Sequence, residues 1–142
     1  MIWFKKKQAD LEDLALAELC QLEAEALYRS GKMHCAEAVV FTIKKHFRPE
    51  LPDDVVQMVS GFGGGSGSGC VCGAVAAGTV AIGLVLKEDK KRIAHLTREL
   101  HAWFKEKYDV TCCKIIRSNH KGACPVLTGE VAGKIADMLS RS

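Results

Sequence analysis

Apolar positions recur at helical spacing along almost the whole chain. Leu14, Leu16, Leu19, Cys20, Ala24 and Leu27 predict a first helix that Asp10 opens and Gly31 stops. A second helix is expected from about His34 to Phe47, with Val39, Val40, Ile43 and Phe47 on its apolar side. Arg48-Pro49 breaks it, because a residue before proline avoids helical geometry. Pro52 suits the first turn of a short third helix through Val55, Val56 and Val59. The nine residues Gly61 to Gly69 then include six glycines and are expected to be irregular, able to bring backbone close to a ligand.

An apolar helix is predicted from about Cys72 to Leu86. The apolar run Val71 to Leu86 is 16 residues, short of the roughly 20 that a membrane helix needs, so it reads as a buried core helix. Small residues such as Gly73, Ala74, Gly78 and Ala81 let neighbouring helices pack near its backbone. Lys87 to Lys90 begin an amphipathic helix whose core stripe is Ile93, Leu96, Leu100, Trp103, Phe104 and Tyr108. Thr111 is the expected cap of a short helix through Ile115 and Ile116, ending near Asn119. Pro125 starts the last helix, with Leu127, Val131, Ile135 and Leu139 facing inward. There is no alternation of strand period and no internal repeat. The expected fold is all-α: a single-domain helical bundle with a glycine-rich loop preceding a buried apolar helix. Residues 1–9 are expected to be a flexible segment and 10–142 one helical cysteine-rich domain.

A chain of 142 residues fits one domain with one hydrophobic core. The net charge of +3 and the 6% aromatic content argue against a nucleic-acid partner. At the start, Trp3-Phe4 precede Lys5-Lys6-Lys7, the reverse of a secretory signal, so no export signal is read. A weak membrane-surface contact through these residues is the minor alternative. The expected location is the cytoplasm, a reducing compartment in which structural disulfides are rare. That changes the meaning of seven cysteines, at positions 20, 35, 70, 72, 112, 113 and 124. Cys20 lies on an apolar stripe and is expected to pack. Cys35, Cys72, Cys113 and Cys124 each fall near a predicted helix N-terminus, where the dipole favours a thiolate. Cys70 and Cys112 neighbour them as spare ligands or resolving thiols. His46, His95, His101 and His120 are expected at the surface.

The segment from 31 to 126 resembles the C-GCAxxG-C-C family, described as redox-active. The resemblance rests on Cys35-Ala36-Glu37-Ala38-Val39, on Gly61 to Gly65, on Cys72-Gly73-Ala74-Val75-Ala76-Ala77-Gly78, and on the single Cys113 and Cys124. Gly78 stands one residue later than in the family signature, and His34 replaces the Asn usual before the first cysteine. A capping role is the expectation for His34.

The resemblance implies four key cysteines in a redox or metal-linked role. One reading gathers Cys35, Cys72, Cys113 and Cys124 as ligands of zinc or an iron–sulfur cluster, with Gly63, Gly64 and Gly65 offering backbone N–H groups to the sulfurs. A second is metal-free thiol–disulfide exchange, with Cys72 as nucleophile and another of the four resolving. A third is a non-catalytic module in which the cysteines pack. The expected partner is a redox protein or a small thiol, and self-association is left open.

Overall fold

The structure, a computed structural model, describes residues 2–141, and of residues 2–11, 13 and 14 the backbone alone. The side chains of Trp3, Phe4 and Lys5 to Lys7 thus lie outside the described residues. Among those described the fold is built from α1 (Ile2–Arg29), α2 (Cys35–Phe47), α3 (Asp54–Gln57), α4 (Gly73–Leu86), α5 (Lys90–Tyr108), α6 (Cys113–Asn119) and α7 (Cys124–Ser140). This is the expected all-α bundle, with the glycine-rich segment leading into the apolar helix. No helix among the described residues is long and apolar enough to cross a membrane.

Helix α1 begins at Ile2, ahead of the expected start at Asp10. No Gly or Pro occurs before Gly31, and Lys, Gln, Ala, Leu and Glu dominate the run, so nothing in it opposes helix. Gly31 then turns the chain with φ of 79°, the left-handed geometry expected of it. Leu19 was expected on the inward stripe but is exposed, whereas Cys20 and Ala24 are fully buried. These small residues let α7 approach closely. A Cβ added at Gly129 would stand 2.6 Å from the Gln21 carbonyl oxygen, and one at Gly133 would stand 3.1 Å from that of Ala17.

Helix α4 packs against α2, α5 and α7, as its all-round apolar surface requires. Ala74, Val75, Ala77, Ala81 and Ile82 are buried in the core with Leu100, Phe104, Val131 and Ile135. At Gly78 side chains of α5 and α7 close on the α4 backbone, since a Cβ there would lie 2.9 Å from both Leu100 and Ile135. Polar contacts stitch α5 to α7 along the rim. Glu99 meets Lys134 at 3.3 Å and Arg141 at 2.5 Å, and Glu130 takes both Lys107 and the Tyr108 hydroxyl.

The segment before α4 is a 3-10 turn, Ser60–Phe62, followed by a tight turn, Gly65–Gly69. Gly64, Gly65, Ser66, Gly67 and Gly69 all have positive φ. Val71 then pairs with Cys112 in an isolated antiparallel bridge. The Cys72 N–H donates to the Thr111 carbonyl at 2.7 Å and the Cys113 N–H to the Cys70 carbonyl at 2.5 Å. This pairing corrects the expected cap: Thr111 is held by its backbone, and Cys112 is the N-cap of α6.

Candidate functional site

Local sequence sets each of the four cysteines at a helix start. Cys35 is the first residue of α2, Cys113 of α6 and Cys124 of α7, while Cys72 is the N-cap of α4. His34 is the N-cap of α2 and is exposed, and its N–H donates to Glu37 Oε1 at 3.3 Å. Pro125 follows Cys124 in the first turn of α7, where a missing N–H costs nothing.

Tertiary packing turns these four helix starts toward one another. Cys35, Cys72, Cys113 and Cys124 line a single cavity of about 500 Å³, together with Tyr28, His34, Gly63, Gly64 and Arg117. Cys72 is buried, with 6% exposure, and Cys113 is buried beside it, while Cys35 and Cys124 are half-buried. The Gly73 Cα is pressed between two groups of the site. A Cβ there would lie 2.5 Å from the Phe62 carbonyl oxygen and 2.8 Å from Cys35 Sγ. Gly65 is equally tight, with Cys113 Cβ 2.7 Å from the position a Cβ would take. Of the three glycines singled out in the sequence, Gly63 and Gly64 line the cavity, and Gly65 supports Cys113 from behind.

The remaining cysteines separate from this group. Cys20 is fully buried between α1 and its neighbours, as expected, and burial followed by the Glu23 carboxylate pushes its thiol up to about 12. Cys70 is exposed, and Cys112 Sγ lies 3.4 Å from the Gly69 carbonyl; neither lines the cavity. Of the four outlying histidines only His95 is exposed. His46 is half-buried against Glu23 at 2.8 Å, His101 Nδ1 is 2.8 Å from the Thr97 carbonyl, and the His120 ring packs edge-on to Tyr108.

The expected lowering of thiol pKa at the helix starts is reversed for three of the four. Burial raises Cys35, against N–H groups of Ala36 and Gly64, and Cys124 and Cys113 raise it further. Burial pushes Cys72 up to about 12, against the Val75 and Ala74 N–H groups. Burial also raises Cys113, with Cys124 adding to it and the Arg117 guanidinium opposing. The helix termini therefore do act on the sulfurs, but desolvation of the thiolate outweighs them.

Tyr28 and Arg117 are site residues that the sequence reading missed. Tyr28 shares the cavity lining with Cys124, and burial and the nearby sulfurs raise its pKa. Nothing in α1 marks Tyr28, whereas Arg117 follows Cys113 by four residues and so shares its helix face.

Among the described residues no three His, Cys, Asp or Glu side chains are grouped to hold an ion. Zinc needs its sulfurs at roughly 2.3 Å, whereas these four stand around a cavity of about 500 Å³, the size of a small-molecule site. As arranged, the residues do not fit a metal centre.

A family model described as "Putative redox-active protein (C_GCAxxG_C_C)" matches residues 33–138. The chain belongs to this family. The match takes in Cys35, the glycine-rich segment, Cys72, Cys113 and Cys124. The matched range thus includes the four cysteines that line the cavity. No curated protein and no solved structure matches the chain.

Proposed function

We propose that the protein carries out thiol–disulfide redox chemistry in the cavity formed by Cys35, Cys72, Cys113 and Cys124. The observation that supports this most is that cysteines as far apart in sequence as 35 and 124 line one cavity of small-molecule size. Cys124 is the attacking sulfur in this reading. It is half-buried rather than sealed, it opens the 17-residue helix α7, and the polar Tyr28 shares its cavity. Cys72, buried and pushed up to about 12, suits a later step better than first attack.

The chemistry balances with no further reagent. The Cys124 thiolate attacks a disulfide R–S–S–R′, forming a Cys124–S–S–R bond and releasing R′–S⁻. A neighbouring thiol, Cys113 or Cys35, passes its proton to the departing thiolate and attacks the Cys124 sulfur. R–S⁻ leaves, a protein disulfide remains, and two electrons have moved from the protein dithiol to the substrate. A redox protein or a small thiol reverses the sequence. The cytoplasm, where thiols are held reduced, suits this cycle.

Zinc or an iron–sulfur cluster on the same cysteines is the outcome that would displace this reading. The test is anaerobic purification followed by the visible spectrum, metal content and free-thiol count on one sample. Colourless, metal-free protein that loses thiols in pairs on mild oxidation, with pairing abolished in Cys124→Ser, supports the proposal. Bound iron with sulfide-to-iron absorption, or stoichiometric zinc lost in the same variant, overturns it. Seven thiols inert until denaturation would leave only a packing role.

A further inference from the structure

A second hollow of about 380 Å³ adjoins the cysteine cavity and shares Gly64, Cys113 and Arg117 with it; Gly67, Gly69 and Lys114 complete its lining. The two hollows together therefore hold the cations Lys114 and Arg117 and, among the described residues that line them, no Asp or Glu. Neither cation has a carboxylate within ion-pair distance among the described residues; the nine ion pairs found there use other groups. Some other cations of the fold are paired, although Lys32, Lys87 and Lys121, for example, are in no ion pair among the described residues either. Lys107, Lys134 and Arg141 are tied to carboxylates along the α5–α7 seam. A Cβ built at Gly64 or Gly67 would meet nothing within 4 Å, whereas one at Gly69 would stand 3.2 Å from the Lys114 side chain.

We infer that the second hollow is an anion subsite, so that the substrate is an anionic disulfide whose charged group docks on Lys114 and Arg117 while its sulfur reaches Cys124. This inference deepens the proposed thiol chemistry and rests on it. Cationic groups without a carboxylate partner lose little on meeting an anion, whereas a guanidinium already paired would have to give up its carboxylate. Arg117 also carries a planar fork that matches carboxylate, phosphate or sulfonate oxygens. Because Arg117 lines both hollows, the recognised charge lies next to the reacting sulfurs. A neutral disulfide fits the cysteine cavity equally well but leaves both cations unused.

The test separates binding from chemistry. Glutathione sulfonate, an anion that cannot undergo disulfide exchange, is titrated into the reduced full chain by calorimetry at low and moderate salt. Binding that weakens with salt and is lost in Lys114→Gln/Arg117→Gln, with the helical circular dichroism of the variant intact, supports the subsite. No binding to the wild-type chain overturns it, whatever the thiols do. Thiol loss is then followed with glutathione disulfide, neutral 2-hydroxyethyl disulfide and cationic cystamine. The anionic-to-neutral rate ratio should fall roughly tenfold in the double variant, the scale of one lost charge-assisted contact. A preference for cystamine, or a ratio unchanged in the variant, overturns the inference. Sulfonate binding without reaction of any disulfide would keep the subsite and overturn the thiol–disulfide reading instead.

Discussion

Gly73 leaves no room for a side chain at the edge of the cysteine cavity. A Cβ added there would crowd the Phe62 carbonyl and Cys35 Sγ together, and neither a backbone carbonyl nor a half-buried sulfur can swing away freely. Gly73→Ala should therefore cost about 1–3 kcal/mol, the usual range for overpacking, and should change the alkylation rate of Cys35; urea denaturation and thiol labelling read both. Equal stability and labelling would show that the 3-10 turn yields without strain. Tyr28 offers a second test at this scale. It lines the cavity together with Cys124, and a hydroxyl that donates to a thiolate counts for more than one that meets a neutral thiol, so Tyr28→Phe should slow Cys124 alkylation at pH 7 by roughly three- to tenfold. Peptide mass mapping after brief iodoacetamide treatment measures it, and an unchanged rate removes Tyr28 from the site.

Helical glycines in this fold have opposite uses, and the elements show which is which. Gly83 lies in α4 with open space where a Cβ would project, so Gly83→Ala should gain about 0.5–1 kcal/mol from backbone entropy alone. Gly129 lies in α7 with the Gln21 carbonyl oxygen 2.6 Å from the same position. There the same entropy gain is outweighed by about 1–3 kcal/mol of overpacking, and Gly129→Ala should destabilise. Thermal melts of the two variants should move in opposite directions; a common direction would mean that α1 and α7 do not meet through backbone. The sequence made most of these elements legible. Gly31, Pro49, Pro52 and Pro125 punctuate the chain through their own dihedral preferences, and the stripes of α5 and α7 follow from period alone. The start of α1 was misjudged because Asp10 resembles a cap, although the residues before it are good helix formers. The capping of α6 by Cys112 was hidden for another reason: the bridge to Val71 joins segments about forty residues apart, and no local pattern encodes it.

For the molecule as a whole, burial of thiols makes stability depend on alkaline pH. The Cys20 and Cys72 thiols titrate at about 12 in the folded chain against an ordinary value of 9.0. Folding thus holds their protons more tightly than the unfolded chain does. Their contribution is intact below about pH 9 and is lost as pH rises toward 12. Denaturation in reductant should show a plateau and then a fall across that window, with a shallower fall in Cys20→Ala; identical slopes would mean that Cys20 keeps no such proton. The direction of these shifts is where sequence reasoning failed. A helix start is visible in sequence and favours thiolate, but the depth of burial that overrides it arises only when α2, α4, α6 and α7 assemble. Arg117 was within reach of reasoning from its four-residue spacing to Cys113, and Tyr28 was not.

Each sulfur of the cavity hangs on a different helix, so any bond formed between two of them becomes a long-range tether. A link between Cys35 and Cys124, for instance, would close a loop of nearly ninety residues, for which restriction of the unfolded chain amounts to roughly 4–5 kcal/mol. Handing over two electrons would then stiffen the entire bundle, and accepting them would relax it. The oxidised protein should melt well above the reduced one, a difference that differential scanning calorimetry with and without reductant can read; coincident melts would mean that no such tether forms. On this arrangement the electron inventory of the protein is written into its resistance to unfolding.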